Sequence, residues 1–571
     1  MTSSQPVDKA PTEQSPAKAG DNTPTTGRLS EDIQPLPGKQ SSEKEQNTTD
    51  LANPPKVIIS GLESHLHGFS LHILAAALCL AVFFMMLNAS IVGTAIPKIT
   101  SQFHSLDDVG WYGSAYLIAN CTMLPLAGRI YTHCRLKITF LSFLWLFAFG
   151  SIISGSANGS KVLIAGRAIS GAGGSGLSSG ALAAINAASP LEKRPMMIGL
   201  VMAFSSIGSV IGPVIGGALT QGASWRWCFY INAFAVGITT AVILAVHFPA
   251  RPEDKIPFSV KSTLQNLDLI GFAIFAPGCT IFLTALQWGG AKYPWNSSVV
   301  IGLFCGSAGF ICLFIAWQYR MGDRAMLPLK MFSRRVVLCS SATIGFQMGT
   351  LMELTYYLPL WFQAVRNADP IMSGVMTLPM SISQMAYAVM SGWLVDTTGY
   401  YTLWAVTGCS LTAIGTGLLC TFTPSTGTGK WIGYQILIGA GRGMVMQMCV
   451  IAVQKDLPKE QENIGSTFLM FCQFLSGSVF IAVAQTIFTN SLGPALQKYA
   501  PTTTKEQIIG LGALGLRTLP KKLIAGAVLA YNTSLVHSYY LATAGAALGF
   551  LASFGMGWGN LKKAKAMTQP A

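Results

Sequence analysis

Three charged side chains stand inside long apolar stretches of the chain. Arg167 lies in LIAGRAISGAGGSG, Glu353 in GTLMELTYYLPLWF and Arg442 in YQILIGAGRGM. A charge at the centre of a bilayer costs roughly 3 kcal/mol or more, so such groups pair with a partner or line a polar path. Thr350, Glu353 and Tyr357 fall on one helix face, which predicts an inward carboxylate with polar company. Arg167 and Glu353 read as members of a solute or proton path, with a buried bridge or cap as the alternative. Arg442, flanked by glycines, reads equally as path or packing support. In GWLVDTTGY, Asp396 closes a helix just before a turn at Gly399. There it could cap a helix N-terminus or pair with a basic loop residue, a pair that would break in a rocking motion; an ordinary solvated turn is the alternative.

The stretch GSVIGPVIGG sets Gly208, Gly212 and Gly216 four residues apart. That spacing makes a stripe of small residues on one helix face, over which a second helix backbone can approach closely. Gly217 is expected to widen the stripe, and Pro213 to free a carbonyl and bend the helix. A plain packing groove satisfies the same spacing.

The elements that position these residues follow from composition. The 571 residues are 51% hydrophobic and 11% charged, against about 25% charged in an ordinary soluble domain. Apolar runs near 70–96, 108–131, 137–156, 161–188, 196–220, 226–248, 268–288, 298–319, 335–363, 371–395, 402–423, 431–454, 464–490 and 535–558 are each about long enough to cross a bilayer. The chain reads as an all-α polytopic membrane protein with fourteen transmembrane helices.

The net charge of +14 sits in short loops rather than in a stripe suited to nucleic acid. One alternate set of loops carries Arg135 and Lys137, Lys193 and Arg194, Arg334 and Arg335, Lys455 and Lys459, then Lys562 and Lys563; the other short loops carry about one basic residue each, and the long loop before the last helix, with several lysines, is of a length translocated largely regardless of charge. Positive loops stay in the cytosol, which places both termini there. Residues 1–65, rich in Ser, Thr, Gln, Pro, Lys and Glu, cannot bury a core and read as a disordered cytosolic tail. The remaining organisation is 66–250 as one six-helix bundle, 251–333 as two linker helices, 334–558 as a second six-helix bundle with a long outer loop 491–534, and 559–571 as a cytosolic tail. Glycosylation sequons in expected outer loops fall at Asn296 and Asn532.

A faint repeat relates the two bundles. GRAISGAGGSG and YQILIGAGRGM align on their GAG triplets, which sets Gln435 opposite Arg167. Many transporters are built from two such halves around a central cavity. Twelve cysteines are scattered without a CxxC pair, so neither a disulfide framework nor a metal site is predicted. No HExxH, phosphate-binding loop or GxSxG is present, and no cofactor or enzymatic activity is expected.

Taken as a set, these motifs resemble the major facilitator superfamily over residues 65 to 560. GSVIGPVIGG fits gxxxGPxxGG, an antiporter motif; GRAISGAGGSG resembles RxxxGxG; GWLVDTTGY resembles GxLxDxxG. WRWCFYIN, YYLPLWFQAV and SGVMTLP resemble the fourteen-spanner drug:proton antiporter branch, and fungal exporters of toxins and secondary metabolites in particular. The resemblance implies a major facilitator fold of two six-helix bundles plus two extra helices. It implies a proton-coupled export of an apolar or amphipathic small molecule by alternating access, with no nucleic acid bound and a monomer in the cell or vacuolar membrane. It assigns Arg167 to proton coupling, Asp396, Gly392 and Gly399 to conformational locking, and Gly128 and Lys137 to the matching first loop.

The chain departs from the family pattern at three places. Asn88 stands where helix 1 usually carries aspartate, GRIYTHCRLK has Thr132 at an aspartate position, and Ser170 replaces a glutamine. Glu353 is therefore expected to serve as the titrating group, beside Asn88, Gln435, Tyr357 and Arg442 on the path. A cavity lined by Tyr, Phe, Met and Gln is expected. An uptake carrier, for siderophores among others, and a non-transporting sensor on a carrier fold are the competing readings.

Overall fold

A computed structural model describes residues 69–103, 108–189, 193–245, 267–290, 292–368, 370–505, 507–508 and 516–560. The N-terminal tail, the C-terminal tail and most of the linker before residue 267 lie outside these residues.

Fourteen helices of nineteen residues or more form among the described residues: α1 Phe69–Phe103, α2 Val109–His133, α3 Leu136–Ser156, α4 Ser160–Ala188, α5 Arg194–Gly222, α6 Trp227–Ala245, α7 Leu269–Trp288, α8 Ser298–Met321, α9 Arg335–Arg366, α10 Leu378–Thr398, α11 Tyr401–Leu419, α12 Thr428–Asp456, α13 Lys459–Tyr499 and α14 Lys521–Ser553. Ten are long and apolar enough to cross a membrane by composition alone; α2, α4, α9 and α10 are not among them. Their polar and glycine content has a physical reason. α4 is buried along most of its length, so it meets protein rather than lipid and has no need of an apolar surface. α8, by contrast, exposes Ile301, Ile311, Leu313 and Ile315, the pattern of a lipid-facing helix.

The fold is all-helical. α1–α6 form one half, in which α1 packs on α5 and α4 lies between α2 and α3. α9–α14 form the other, in which α12 lies between α10 and α11 and α9 packs on α13 and α14. Glycines permit the close crossings. A Cβ at Gly171 would overlap the Tyr116 carbonyl on α2, and one at Gly439 would overlap the Met380 carbonyl on α10. Gly171 and Gly439 are the equivalent glycines of the two GAG triplets, so the repeat read from sequence is also a repeat of packing. Glycine costs about 1 kcal/mol in a helix interior, but in lipid the helical backbone bonds are kept regardless, and the reward is close contact.

The linker helices α7 and α8 hang on one carboxylate that the sequence reading passed over. Asp268, buried at the N-terminus of α7 with φ of 48°, accepts from the Gly271 amide at 3.0 Å, Trp317 Nε1 at 2.8 Å, Gln318 Nε2 at 3.3 Å and the Met326 amide at 2.8 Å. Nearby, Arg129 at the end of α2 donates to the Ala325 carbonyl.

Two boundaries differ from expectation. α13 continues to Tyr499 and α14 begins at Lys521, so the connection between them is much shorter than 491–534. Asn532 consequently lies inside α14. It is buried, accepts from Trp361 Nε1 at 2.7 Å and donates to the Phe422 carbonyl at 3.1 Å. A side chain so engaged has no room for a glycan, which corrects the reading of Asn532 as a glycosylation site. Asn296 is exposed in the turn before α8.

Candidate functional site

The polar residues singled out by sequence separate into three places: a buried node in each half and a cavity between the halves.

In the first half, Arg167 is fully buried. Its Nε donates to the Tyr112 carbonyl at 2.9 Å, and one terminal nitrogen reaches both the carbonyl and Oδ1 of Asn88 at 3.1 Å. The guanidinium stacks on Tyr116, 4.7 Å from the ring centroid. Asn88 Oδ1 also accepts from Asn232 Nδ2 at 3.2 Å. The asparagine thus supplies the acceptor geometry of a carboxylate without the charge. Arg167 has no acidic hydrogen-bond partner here, and it does not line the central cavity.

The second half inverts this arrangement. Gln435 donates to the Met376 carbonyl at 2.9 Å, as Arg167 does to Tyr112. Glu353 stands 265 residues after Asn88, close to the 268 residues between the two GAG triplets. Thus one half holds a cation with a neutral amide opposite, and the other holds an acid at the amide's position with a neutral amide at the cation's.

Glu353 is fully buried. The Ala542 amide lies near it, yet neither carboxylate oxygen has a hydrogen-bond partner. Its face carries the polar company expected, but that face meets α13 and α14. Thr350 Oγ1 donates to the Ala542 carbonyl at 3.2 Å, Tyr357 OH donates to Gln485 Oε1 at 2.8 Å, and Tyr539 OH donates to the Tyr357 carbonyl at 3.3 Å. The cavity is lined by the other face of α9, through Met348, Leu351 and Met352. An inward carboxylate means, in this structure, inward to the half rather than to the cavity.

The cavity lies between the halves, with walls from α1, α4, α5, α9, α10, α12 and α13 and a volume of about 120 Å³. Methionines dominate it, among them Met85, Met202, Met385 and Met446; Gln384, Gln447 and Gln473 supply amides, and Arg442 the charge. Of the expected aromatics only Phe474 is present, and no tyrosine lines it. Methionine is flexible and polarizable, and suits a surface that must accommodate irregular apolar ligands.

The halves meet at the end of the bundle that carries the arginine- and lysine-rich loops, here the basic end. Arg194 on α5 bridges Glu462 on α13 at 3.0 Å and donates to Gln454 Oε1 at 3.3 Å. A Cβ at Gly392 would lie 2.8 Å from Met196 Cα, and one at Gly128 would lie 2.8 Å from Thr467 Oγ1. Gly128 and Gly392 therefore sit at the contact between the halves. Asp396 does not. It is exposed at the end of α10 and makes no hydrogen bond or ion pair among the described residues, so the ion pair between halves runs through Arg194 and Glu462 instead. Gly399 holds the turn, with φ of 76°. Lys137 donates to the Leu244 carbonyl at 3.0 Å within its own half.

The glycine stripe also has a different neighbour from a surface between halves. A Cβ at Gly208 would overlap the Phe83 carbonyl, and one at Gly216 would lie 2.7 Å from the Ile91 carbonyl, both on α1 of the same half. Gly212 abuts Ser90. Gly217 faces open space, which corrects its place in the stripe. The side chain of Pro213 lies outside the described residues.

The comparisons with known proteins agree with this architecture. The profile of the Major Facilitator Superfamily matches residues 78–481, and the chain belongs to that family. It is a multi-pass membrane transporter of small molecules, not an enzyme. It is 47% identical over 498 residues to the MFS-type transporter pigP of Monascus ruber, covering 87% of each chain. It is 43% identical over 540 residues to the efflux pump mlcE of Penicillium citrinum, covering 93% of this chain and 97% of that one. Among solved structures it superposes on the proton:xylose symporter XylE with a TM-score of 0.57 at 13% identity, over 87% of this chain and 99% of that one. This last likeness is one of fold.

Proposed function

We propose that the protein exports a hydrophobic or amphipathic small molecule by alternating access, in exchange for protons. The observation that carries this reading is the methionine-lined cavity between two halves that touch at the basic end. Such a lining gives an apolar solute a place to rest with few directional contacts, and breaking the Arg194–Glu462 contact gives access from the other side. The names of the relatives, efflux pump among them, favour export.

In this reading all fourteen helices cross the membrane. The positive loops put the basic end and both termini in the cytosol. Glu353 carries the exchanged proton, because among the described residues it is the buried carboxyl group within a half whose oxygens lack a hydrogen-bond partner. Asn88, which holds Arg167, keeps the equivalent place in the first half occupied by a group that carries no proton to exchange. Asn296 is the candidate for glycosylation on the outer side.

The test is reconstitution into liposomes. With an imposed pH gradient, a fluorescent lipophilic amphiphile should accumulate on the side from which protons leave the lumen or medium. Movement only down the amphiphile's own gradient would reduce the protein to a passive carrier. Movement toward the basic end alone would make it an uptake carrier.

A further inference from the structure

Arg442 is fully buried, on α12, and lines the central cavity. It is the one charged residue among the described residues of that lining. One terminal nitrogen donates to Gln384 Oε1 at 3.0 Å, and Gln384 in turn donates to Ser206 Oγ across the cavity at 3.2 Å. Its Nε and other terminal nitrogen have no partner. Gln473 Nε2, also on the lining, has none either. Against these unused donors stands one unused acceptor, Gln447 Oε1.

The cavity is therefore rich in donors and positive in an apolar setting. An arginine keeps its charge and presents a planar fork of donors suited to a carboxylate. A buried charge without a partner is costly, and that cost is recovered when an anion arrives. Arg167 also has one unpartnered terminal nitrogen, but it has three acceptors and an aromatic platform, and it lies off the cavity.

We infer that the transported molecule is a lipophilic anion, a carboxylate or comparable acid, whose charged oxygens dock on Arg442 while its apolar body lies against the methionines. The inference deepens the export reading and rests on its claim that this cavity is the substrate path. Gln384 is then a positioning residue that orients the guanidinium, and Gln473 a second donor.

The test compares matched probes on the full-length protein in phosphatidylcholine nanodiscs: dansyl-aminoundecanoate and its methyl ester. The wild type should bind the carboxylate about tenfold tighter than the ester, the order expected from one or two hydrogen bonds to a charged group. Arg442→Gln should bring that ratio to about one. Arg442→Lys should keep part of it. Gln384→Glu should also abolish the preference by neutralising Arg442 in place, which separates loss of the anion site from loss of the fold. Octanoate in solution and phosphatidate in the disc serve as competitors; displacement by either one upholds the anion site and names its source. Equal binding of the two probes by wild type, no binding of either, or a preference that survives Gln384→Glu overturns the inference. Export of the ester from liposomes is read separately. If the ester is exported while the binding preference is absent, the anion inference fails alone. If neither probe is moved, the export reading fails.

Discussion

At the scale of single residues, each half buries a charged group whose matching place in the other half holds an amide: Arg167 in the first, with Gln435 at the matching place in the second, and Glu353 in the second, with Asn88 at the matching place in the first. Asn88 serves Arg167 and Asn232 at once. Asn88→Leu removes one acceptor from each, leaving them their backbone carbonyl partners, and should lower stability by roughly 1–3 kcal/mol, read as a lower unfolding temperature in detergent; an unchanged midpoint would show the amide to be dispensable. Arg167, Glu353 and Arg442 were legible in the sequence because charge is rare in apolar runs. Their surroundings were not, because a helical face says which residues travel together but not which neighbour they meet. Glu353 illustrates this: its polar companions are present, and they turn toward α13 and α14. Asp268 escaped notice for a different reason. It stands at the edge of an apolar run, where a carboxylate reads as an ordinary cap, and only the fold brings Trp317, Gln318 and Met326 to it.

At the scale of elements, the glycine stripe of α5 is a close contact with α1 inside one half. Gly208→Leu would drive a side chain into the Phe83 carbonyl. It should part α1 from α5 and abolish transport while protein still reaches the membrane, as quantified by surface labelling beside flux; normal flux would reduce the stripe to loose packing. The contact between halves is made elsewhere, by Gly392 against Pro195 and Met196 and by the Arg194–Glu462 bridge. Arg194→Ala should loosen that closure. Reactivity of an engineered Ser206→Cys thiol toward an impermeant reagent applied at the basic end should then rise several-fold, by about what a partly buried pair contributes. Unchanged reactivity would mean that the glycine contacts close the end alone. The helices themselves were readable from apolar length, and the break before α14 was not. Gly493 and Pro494 on one side and Lys521, Lys522 and the Asn532 sequon on the other resemble a loop, yet Trp361 and Phe422 give Asn532 its partners inside α14.

At the scale of the whole molecule, two related halves enclose a cavity lined by methionines, and in the proposed exchange the chemistry of coupling is confined to one of them. The repeat was visible in two GAG triplets, and the packing of Gly171 on Tyr116 and Gly439 on Met380 gives it structural meaning. The cavity's composition was half legible: methionine and glutamine were expected, while tyrosine was wrongly included because Tyr357 faces into its half and hydrogen-bonds Gln485. The decisive measurement is flux of a lipophilic substrate through reconstituted protein under an imposed pH gradient, for wild type and Glu353→Gln side by side. Coupled exchange through Glu353 requires uphill flux in the wild type that collapses when the gradient is discharged. It also requires a Glu353→Gln protein that binds substrate but moves it only downhill. Uphill flux of equal size and equal pH dependence in the two proteins would contradict the assignment.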